Sequence, residues 1–453
     1  MNPPPLNPPL SLSHHVQRTL SLALPVMLAR AGLVVMLAVD TIMVGRAGGH
    51  ELAFFAISAA PQIIMLAVGV GLLVGAMVLT AQADGAGRLE ECGRFWRLAL
   101  LLAAGLGLFF AAILLRGDGL LRWLGEDANI AAGGGQAMRM WAIGMPAAIL
   151  YMATGSFLEG ISRPRAAMVL SLAANLVNFL LAWALVFGHW GLPAMGADGA
   201  ALATSLTRWL MFLTLAGYVL LLPDAERFGI HAPLAGYYHL IGKMLLLGLP
   251  VAFAIGCETM AFSGATVIAG WLGETPLAAY QLSINVTSFF YMLTLGLGTA
   301  AAVRVGNAVG RGDQPGVRHA GWIAVGLIFA LMLAVGLAIR LFRGDIAAIY
   351  TGDIAVIDAA LPALAVVSLL VVFDGVQGVL MGALRGAGDV VLPTATYAIA
   401  FWGCALPLCY YLGYRQATGA AGIAWGLTAG LVVACIMLGL RFAVVARRRL
   451  YAV

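Results

Sequence analysis

Three acidic residues, Asp40, Glu258 and Asp374, lie well inside long apolar stretches of the chain. A stretch of ~20 apolar residues is long enough to cross a bilayer as a helix. A carboxylate at the bilayer centre costs roughly 2.5–3.5 kcal/mol on insertion scales, so these side chains are expected to face protein or a water-filled cavity. There they could take up protons or offer oxygen ligands to a hard cation. The alternative is structural, namely a hydrogen bond that holds two helices together.

Polar uncharged side chains accompany these carboxylates. They are Gln377, three residues after Asp374, the pair Asn175 and Asn178, and a stretch that contains Gln281, Asn285 and Tyr291. Residues three apart share one face of a helix, so Gln377 is expected beside Asp374. The same spacing places Asn175 and Asn178 on one face. Amides are candidates for lining a polar cavity, although interhelical hydrogen bonding is an equally common use of amides in membranes.

The composition identifies the elements that must position these residues. Of 453 residues, 62% are hydrophobic and 10% charged, and the mean hydropathy is +0.97. A soluble chain carries roughly 25% charged residues, so a soluble enzyme, a disordered chain and a coiled coil are excluded. Twelve apolar runs predict an all-α membrane protein. They lie near 19–45, 54–80, 96–115, 137–158, 167–187, 199–222, 241–270, 277–303, 320–342, 359–384, 392–412 and 421–444.

The chain repeats itself at an offset of about 225 residues. Leu24-Pro25 falls on Leu249-Pro250, and the segment 82–87 falls on 307–312. Six spans in each half predict two pseudo-symmetric six-helix lobes. The predicted organisation is a flexible Pro-rich tail (1–18), an amino-terminal lobe (19–222), a linker (223–240), a carboxy-terminal lobe (241–445) and a basic tail (446–453).

The basic residues predict the orientation. With the amino terminus inside, most of the 25 arginine and lysine residues fall on the inner side, so both termini are predicted to be cytoplasmic. No HExxH or Walker pattern is present, and the histidines lie in the tail, loops or span ends, so neither an enzyme nor a cofactor is expected. No basic face alternates with exposed aromatics, so no nucleic-acid partner is expected either.

Several motifs together resemble those of the multidrug and toxic compound extrusion (MATE) transporters, and most closely their NorM-like branch. The motifs are VDTIMVG at 39–45, EGISRP at 159–164, Leu249-Pro250 followed by Glu258-Thr259, RVGNAVGRG at 304–312, and DGVQ at 374–377 with LRGAGD at 384–389. The resemblance covers the chain from about residue 19 to 445. It implies two six-helix lobes, alternating access, and export of bulky, often cationic drugs against entry of H⁺ or Na⁺ across a bacterial inner membrane.

The resemblance also implies roles for individual residues. The residues that match Glu258, Asp374 and Tyr291 are associated with a cation site of the carboxy-terminal lobe in that branch. If the coupling ion is Na⁺, Glu258 and Asp374 would be its ligands. The residues that match Asp40 and Asn178 form a polar site of the amino-terminal lobe. Thr204 lies near the corresponding motif of the sixth span.

Three positions depart from the branch. Its N-x-P-x-N pattern reads Asn178-Phe-Leu-Leu-Ala182, so the proline and the second amide are missing. Arg30 stands where a glutamine is usual, and Thr294 replaces the usual proline of the eighth span. Arg30 and Arg208 are basic residues inside spans, and neither is predicted to contact substrate.

We therefore predict a cation-coupled exporter of small-molecule drugs and dyes that works as a monomer, because one chain contains both lobes. The alternative is a flippase for a lipid-linked saccharide or peptidoglycan precursor. A flippase should have a more basic cavity to meet pyrophosphate. A receptor or scaffold is a third class, and the intramembrane carboxylates disfavour it.

Overall fold

The computed structural model describes residues 12–234 and 236–448. Within these residues, twelve helices are long and apolar enough to cross a membrane, which confirms the predicted all-α membrane fold. In chain order the spans are Ser13–Ala47, Gly49–Gly85, Leu89–Leu114, Ala128–Gly160, Arg165–Phe187, Gly196–Leu220, His239–Trp271, Glu274–Gly310, Gln314–Leu341, Ile354–Gly386, Val391–Arg415 and Gly419–Val445. Two short helices, Gly117–Trp123 and Arg343–Tyr350, precede the fourth and tenth spans.

The first helix begins earlier than the apolar pattern predicts. The helix itself starts at Leu12, one residue before the span Ser13–Ala47, inside the segment that the sequence assigns to a flexible tail of residues 1–18. The guanidinium of Arg304 donates to the backbone oxygen of His15 at 3.1 Å and to the hydroxyl of Thr19. These bonds tie the first turns of the first helix to the eighth span, which carries Arg304. The rest of the predicted tail, residues 1–11, and residues 449–453 of the basic tail lie outside the described residues.

The chain divides into two compact units, and each contains one end of the first span and one end of the seventh. The amino-terminal unit is Leu28–Phe253, and the carboxy-terminal unit contains the residues up to Met27 together with those from Ala254. The divisions fall inside the first and seventh helices, not in the linker that separates the predicted lobes. Each division follows shortly after a proline, Pro25 or Pro250, and the internal repeat makes these two prolines equivalent. Each proline removes one backbone hydrogen bond from its helix.

The internal repeat is visible in local backbone geometry. Gly87 and Gly312 follow the second and eighth helices with φ of 73° and 65°. In each case the next residue donates its N–H to a carbonyl five positions earlier, from Arg88 to Ala83 and from Asp313 to Ala308, both at 2.9 Å. This is a helix-ending turn that favours glycine at the left-handed position.

The predicted linker, residues 223–240, packs against the amino-terminal unit. The N–H of Gly93 donates to the carbonyl of Phe228 at 2.9 Å, and a β-carbon on Gly93 would lie 2.3 Å from that oxygen. The Arg163 guanidinium forms two hydrogen bonds with the Asp224 carboxylate, at 2.9 and 2.6 Å. The linker is thus tied to the ends of the third and fourth spans.

The Arg163–Asp224 pair predicts a small pH-dependent contribution to stability. Hydrogen bonds from Arg163 hold the pKa of Asp224 below its ordinary value. The pair therefore stabilises the fold above about pH 4, and this contribution is lost as the pH falls through the lowered pKa. The side chains are 41% and 27% exposed, so we expect Asp224→Asn to cost less than about 1 kcal/mol at pH 7. Melting temperatures of the wild type and the variant should differ slightly at neutral pH, and the difference should shrink as the pH falls below about 4. A difference that stays constant with pH would contradict the assignment.

The eighth and tenth spans approach each other through glycine. A β-carbon on Gly382 would lie 2.2 Å from the carbonyl oxygen of Gly298, and one on Gly386 would lie 2.2 Å from that of Ala302. Small residues allow backbones to pack directly in membranes, where tight packing stabilises helix association. This contact holds the tenth span, which carries Asp374 and Gln377 further toward its start, against the eighth span.

We expect Gly382→Leu to destabilise the carboxy-terminal unit. The new side chain would meet backbone atoms that cannot turn away, and overpacking of this kind typically costs about 1–3 kcal/mol. Gly326→Leu in the ninth span is the matched control, because a β-carbon there meets no atom within 4 Å. Melting temperatures in detergent should fall for Gly382→Leu and stay near the wild-type value for Gly326→Leu. Equal melting temperatures for both variants would show that the close approach of the eighth and tenth spans does not contribute to stability.

Candidate functional site

The amino-terminal unit contains a hydrogen-bonded group built from the first, fifth and sixth spans. The carboxyl of Asp40 is fully buried. The side-chain amide of Asn178 donates to its Oδ1 at 2.6 Å, and the hydroxyl of Thr204 bonds its Oδ2. The structure thus brings together Asp40 and Asn178, which the resemblance assigned to one polar site, and places Thr204 of the sixth span beside them.

This group satisfies Asp40 in either protonation state. The Thr204 hydroxyl lies 3.1 Å from Asn178 Oδ1 as well as beside Asp40, and it has one hydrogen to donate. When Asp40 is ionised, Thr204 can donate to the carboxylate. When Asp40 carries a proton, it can donate to Thr204, which then donates to Asn178. The hydroxyl of Thr207, 3.3 Å from Asn178 Oδ1, is a further donor. One proton can therefore be gained or lost without leaving a buried polar atom unpaired.

Asp40 lines a cavity of about 120 Å³ within the amino-terminal unit. Most of its wall is apolar, from the first, second, fourth and sixth spans. Arg208 lines the same cavity, together with Gln62, Trp141 and Thr204. The sequence did not predict this place for Arg208. The sequence spacing could have indicated this position, because Arg208 follows Thr204 by four residues and so lies on the same face of the sixth helix.

Arg208 is positioned by two buried side chains. Its Nη1 donates to Gln62 Oε1 at 2.9 Å, and its guanidinium lies 5.0 Å from the centre of the Trp141 ring. Trp141 is fixed in turn by a hydrogen bond from its indole N–H to the hydroxyl of Ser58 at 3.2 Å. The six ion pairs among the described residues do not include Arg208. The cavity therefore presents one acid and one base that are not directly paired.

The carboxy-terminal unit contains a second group, from the seventh and tenth spans. Glu258 and Asp374 are buried and lie close enough to interact electrostatically. Gln377 is fully buried, and its Nε2 donates to Glu258 Oε1 at 3.3 Å. Gln377 also reaches the carboxyl of Asp374, as the three-residue spacing predicted. The structure thus places both carboxylates and the amide in one cluster.

Three further side chains lie within electrostatic range of this cluster. Tyr291 of the eighth span is near both carboxylates, as the resemblance implied. Arg385 is near Glu258 and Tyr397 is near both carboxylates, and neither was singled out from the sequence. Arg385 lies about three turns beyond Asp374 on the tenth helix, within its LRGAGD motif. Tyr397 comes from the eleventh span, so only the tertiary fold brings it to the cluster.

The cluster retains an unsatisfied oxygen. Gln377 Oε1 is buried without a hydrogen-bond partner, beside two carboxylates. A protonated carboxyl could donate a hydrogen bond to this oxygen, or a bound cation could be coordinated by it. In the described part of the chain, no group of three or more His, Cys, Asp or Glu side chains is arranged to hold a metal ion. A Na⁺ ion at Glu258 and Asp374 would therefore need amide, hydroxyl or water oxygens as further ligands.

Two predicted cavity residues are not gathered into either group. The amide of Asn175 donates to the carbonyl of Ser171 in its own helix at 2.8 Å. Asn285 is exposed and donates to the carbonyl of Gln281 at 2.9 Å, also within its own helix. Both amides bond backward by one turn, so sharing a span with a site residue did not suffice to place them in the site.

Arg30 pairs with an acid of the fourth span. Its Nη2 lies 3.6 Å from Glu159 Oε1, and the Arg30 and Glu159 side chains are 23% and 11% exposed. Glu159 is thus a largely buried acid whose negative charge is balanced by the guanidinium of Arg30. This contact accounts for a charged residue where the resemblance would place glutamine.

Comparison with known proteins places this architecture in a family. The MatE family model matches residues 25–184 and 250–411. The multidrug resistance proteins PmpM of Pseudomonas aeruginosa and NorM of Burkholderia vietnamiensis are each 32% identical, over 99% and 96% of this chain and 96% and 95% of theirs. Among solved structures, the eukaryotic MATE transporter AtDTX14 matches with a TM-score of 0.87 at 21% sequence identity, and the match covers 96% of this chain and 98% of that one. An outward-facing MATE family multidrug resistance transporter matches with a TM-score of 0.88 at 20% sequence identity, and the match covers 96% of this chain and 97% of that one. The chain therefore belongs to the MatE family, and it is an integral membrane transporter rather than an enzyme.

Proposed function

We propose that the protein is a cation-coupled multidrug exporter of a bacterial inner membrane, with both termini in the cytoplasm. It exports lipophilic drugs and dyes, many of them cationic, by alternating access, while H⁺ or Na⁺ enters. Relatives of nearly the same length carry the name multidrug resistance protein, which supports the substrate class. The even number of spans is consistent with termini on one side.

One observation carries the coupling part of the proposal. Each compact unit buries its own carboxylate cluster inside membrane spans, around Asp40 in one and around Glu258 and Asp374 in the other. Burying an ionised carboxylate is costly, and structural packing alone could be achieved by neutral amides at lower cost. Groups whose charge can be cancelled by an entering cation are the ones that coupled transport requires.

Coupling then follows from competition for charge. A drug cation is attracted to an ionised cluster, and a bound H⁺ or Na⁺ removes that attraction. A ligand shifts a conformational equilibrium only if it prefers one of the states, so the cation and the drug must favour opposite orientations of the transporter. A membrane potential that is negative inside drives cation entry by about 2.3 kcal/mol per charge for every 100 mV.

The two clusters differ in the cation that they favour. The Asp40 group supports H⁺, because Thr204 and Asn178 can rearrange their hydrogen bonds around one proton and leave no group unpaired. The Glu258–Asp374 cluster has two carboxylates and an unsatisfied amide oxygen, which suit either H⁺ or Na⁺.

The flippase alternative finds some support in Arg208, which makes the cavity of the amino-terminal unit less acidic than the sequence predicted. A pyrophosphate ligand carries several negative charges, however, and the cavity wall offers it one arginine beside an aspartate. In the other unit, Arg385 lies within electrostatic range of the Glu258 carboxylate, which in turn interacts with Asp374. This balance favours a ligand whose net charge is positive or zero.

The test is efflux of ethidium from proteoliposomes that contain the purified protein. An inward Na⁺ gradient is imposed in one set, an inward H⁺ gradient in a second, and neither in a third. We expect one gradient to drive ethidium movement that the third set lacks. If neither gradient moves the dye while a lipid-linked pyrophosphate is translocated, the flippase reading replaces this one.

A further inference from the structure

We propose that the amino-terminal unit carries a binding site for an anionic phospholipid, formed where the third span meets the short helix Gly117–Trp123. The site is a groove of about 470 Å³ on the surface of the unit. It is separate from the cavity that Asp40 lines, and it depends neither on the transported substrate nor on the coupling ion. The groove is lined by Phe109, Ala112, Ile113, Arg116, Gly119 and Leu120.

The spacing of these residues explains why the groove is apolar along its length. The three from the third helix, beginning at Phe109, are spaced as i, i+3 and i+4, so they share one face. Arg116 follows Phe109 by seven residues and continues this stripe just beyond the helix end at Leu114. The two residues from the short helix repeat the same spacing, counted from Arg116. Arg116 is therefore the one charged residue of the groove wall, at the junction of two apolar stripes.

The groove faces away from the rest of its unit. The other face of the third helix is packed, since Phe110 and Leu114 are 6% and 0% exposed. A β-carbon on Gly107 would lie 2.6 Å from the Cα of Pro146 in the fourth span. Phe109 is 61% exposed. An apolar face of a membrane span that the protein leaves uncovered contacts lipid, so acyl chains are the material that fills this groove.

The length of the third helix places Arg116 at the level of the lipid headgroups. Its 26 residues rise about 39 Å, whereas the hydrocarbon core is ~30 Å thick. Phe109 lies about 10 Å deeper than Arg116 along the helix axis. Trp123, at the end of the short helix, is 81% exposed, as is typical of a side chain at a membrane interface. A phospholipid has the same order of groups, with its phosphate at the interface and its acyl chains below.

The charges in and around the groove favour a lipid with a net negative charge. The six ion pairs among the described residues do not include Arg116, and the neighbouring Asp118 lies 3.4 Å from Arg139 instead. A guanidinium presents paired N–H donors that match two oxygens of a phosphate. The groove wall has no acid to meet the ammonium of a zwitterionic headgroup. With the termini in the cytoplasm, as proposed above, the lipid belongs to the outer leaflet.

The experiment measures lipid binding to the purified full-length protein by native mass spectrometry. Phosphatidylglycerol and phosphatidylethanolamine with identical acyl chains are titrated separately, and the dissociation constants of the first bound lipid are compared. The variants are Arg116→Gln, Ala112→Trp and the control Arg122→Gln. Arg122 is an exposed residue of the same short helix that does not line the groove. Ala112 is exposed, so a tryptophan there fills the groove without entering the core.

We expect the wild type to bind phosphatidylglycerol about fivefold more tightly than phosphatidylethanolamine, the effect of one basic residue at a membrane surface. Arg116→Gln should remove this preference by weakening only phosphatidylglycerol, and Arg122→Gln should retain it. Ala112→Trp should weaken both lipids, because it occupies the space of the acyl chain.

Two results would overturn the proposal. One is an equal loss of preference in Arg116→Gln and Arg122→Gln, or no loss in either, which would mean that the groove does not select the lipid. The other is displacement of phosphatidylglycerol by soluble glycerol 3-phosphate together with an unchanged affinity in Ala112→Trp, which would identify a site for a free phosphate. Ethidium efflux is measured separately, so either result leaves the proposed transport function intact.

Discussion

Asp374→Asn should reduce gradient-driven efflux to the level of empty liposomes while the protein still inserts and folds. Asparagine has nearly the same shape as aspartate and can still hydrogen-bond Gln377, so packing of the tenth span is retained. It cannot ionise, so an entering cation has no charge to cancel at this position. The measurement is ethidium efflux from proteoliposomes under the gradient that drives the wild type.

Asp358→Asn is the matched control for this experiment. Asp358 belongs to the same helix but is exposed, so its replacement should leave efflux unchanged. Glu258→Gln should behave like Asp374→Asn, because the two carboxylates lie in one cluster and share Gln377. Wild-type efflux rates in Asp374→Asn, with normal elution on size exclusion, would remove this residue from the coupling site.

Asp40→Asn is expected to reduce coupled efflux at least tenfold, by fixing its cluster in the neutral arrangement. An asparagine at this position can accept from Asn178 and donate to Thr204, which is the pattern of a protonated Asp40. The variant should therefore be stable yet insensitive to the cation. Binding of ethidium to the purified variant should weaken for the same reason, because the negative charge that attracts it is gone.

Thr204 provides a graded test of the same group. Thr204→Ser keeps the hydroxyl that links Asp40 to Asn178 and should retain most of the efflux. Thr204→Val has a similar shape but removes the hydroxyl, and it leaves a buried carboxylate oxygen unpaired, at a cost of about 1–3 kcal/mol. Its melting temperature and efflux should both fall. If valine and serine behave alike, the hydroxyl does not take part in proton accommodation.

The fold could be predicted from the sequence because the bilayer imposes a simple rule. A membrane span must be apolar over ~20 residues and must satisfy its own backbone, so the twelve runs correspond to twelve helices. Charged residues that interrupt such runs are costly. This is why Asp40, Glu258 and Asp374 could be identified without a structure, and why each lies in a buried polar cluster.

The rest depended on tertiary contacts that the pattern does not contain. Tyr397 reaches the carboxylates from another span, and Arg304 orders the start of the first helix through His15. Asn175 and Asn285 show the reverse case, since each amide bonds within its own helix and lies outside the clusters. The spacing within a helix tells which residues share a face, but it does not tell what that face meets.

The boundaries of the compact units were also beyond sequence reasoning. Composition favoured a division at the polar linker, residues 223–240, yet that segment is bound to the amino-terminal unit through Phe228 and Asp224. The divisions fall inside two helices, shortly after Pro25 and Pro250. A proline in an apolar span indicates a weakened helical turn. It does not show that the residues on either side of that turn belong to different compact units.

The proposed mechanism requires that drug and cation compete for the charge of the buried carboxylates. Equilibrium binding of ethidium to the purified wild-type protein tests it most directly, measured at a series of Na⁺ concentrations at fixed pH and at a series of pH values without Na⁺. Competition predicts that the apparent dissociation constant of ethidium rises with the concentration of the coupling cation in one of the two series. It also predicts that Asp40→Asn or Asp374→Asn reduces this dependence. An ethidium affinity that is constant in both series would contradict competition and, with it, the proposed mechanism.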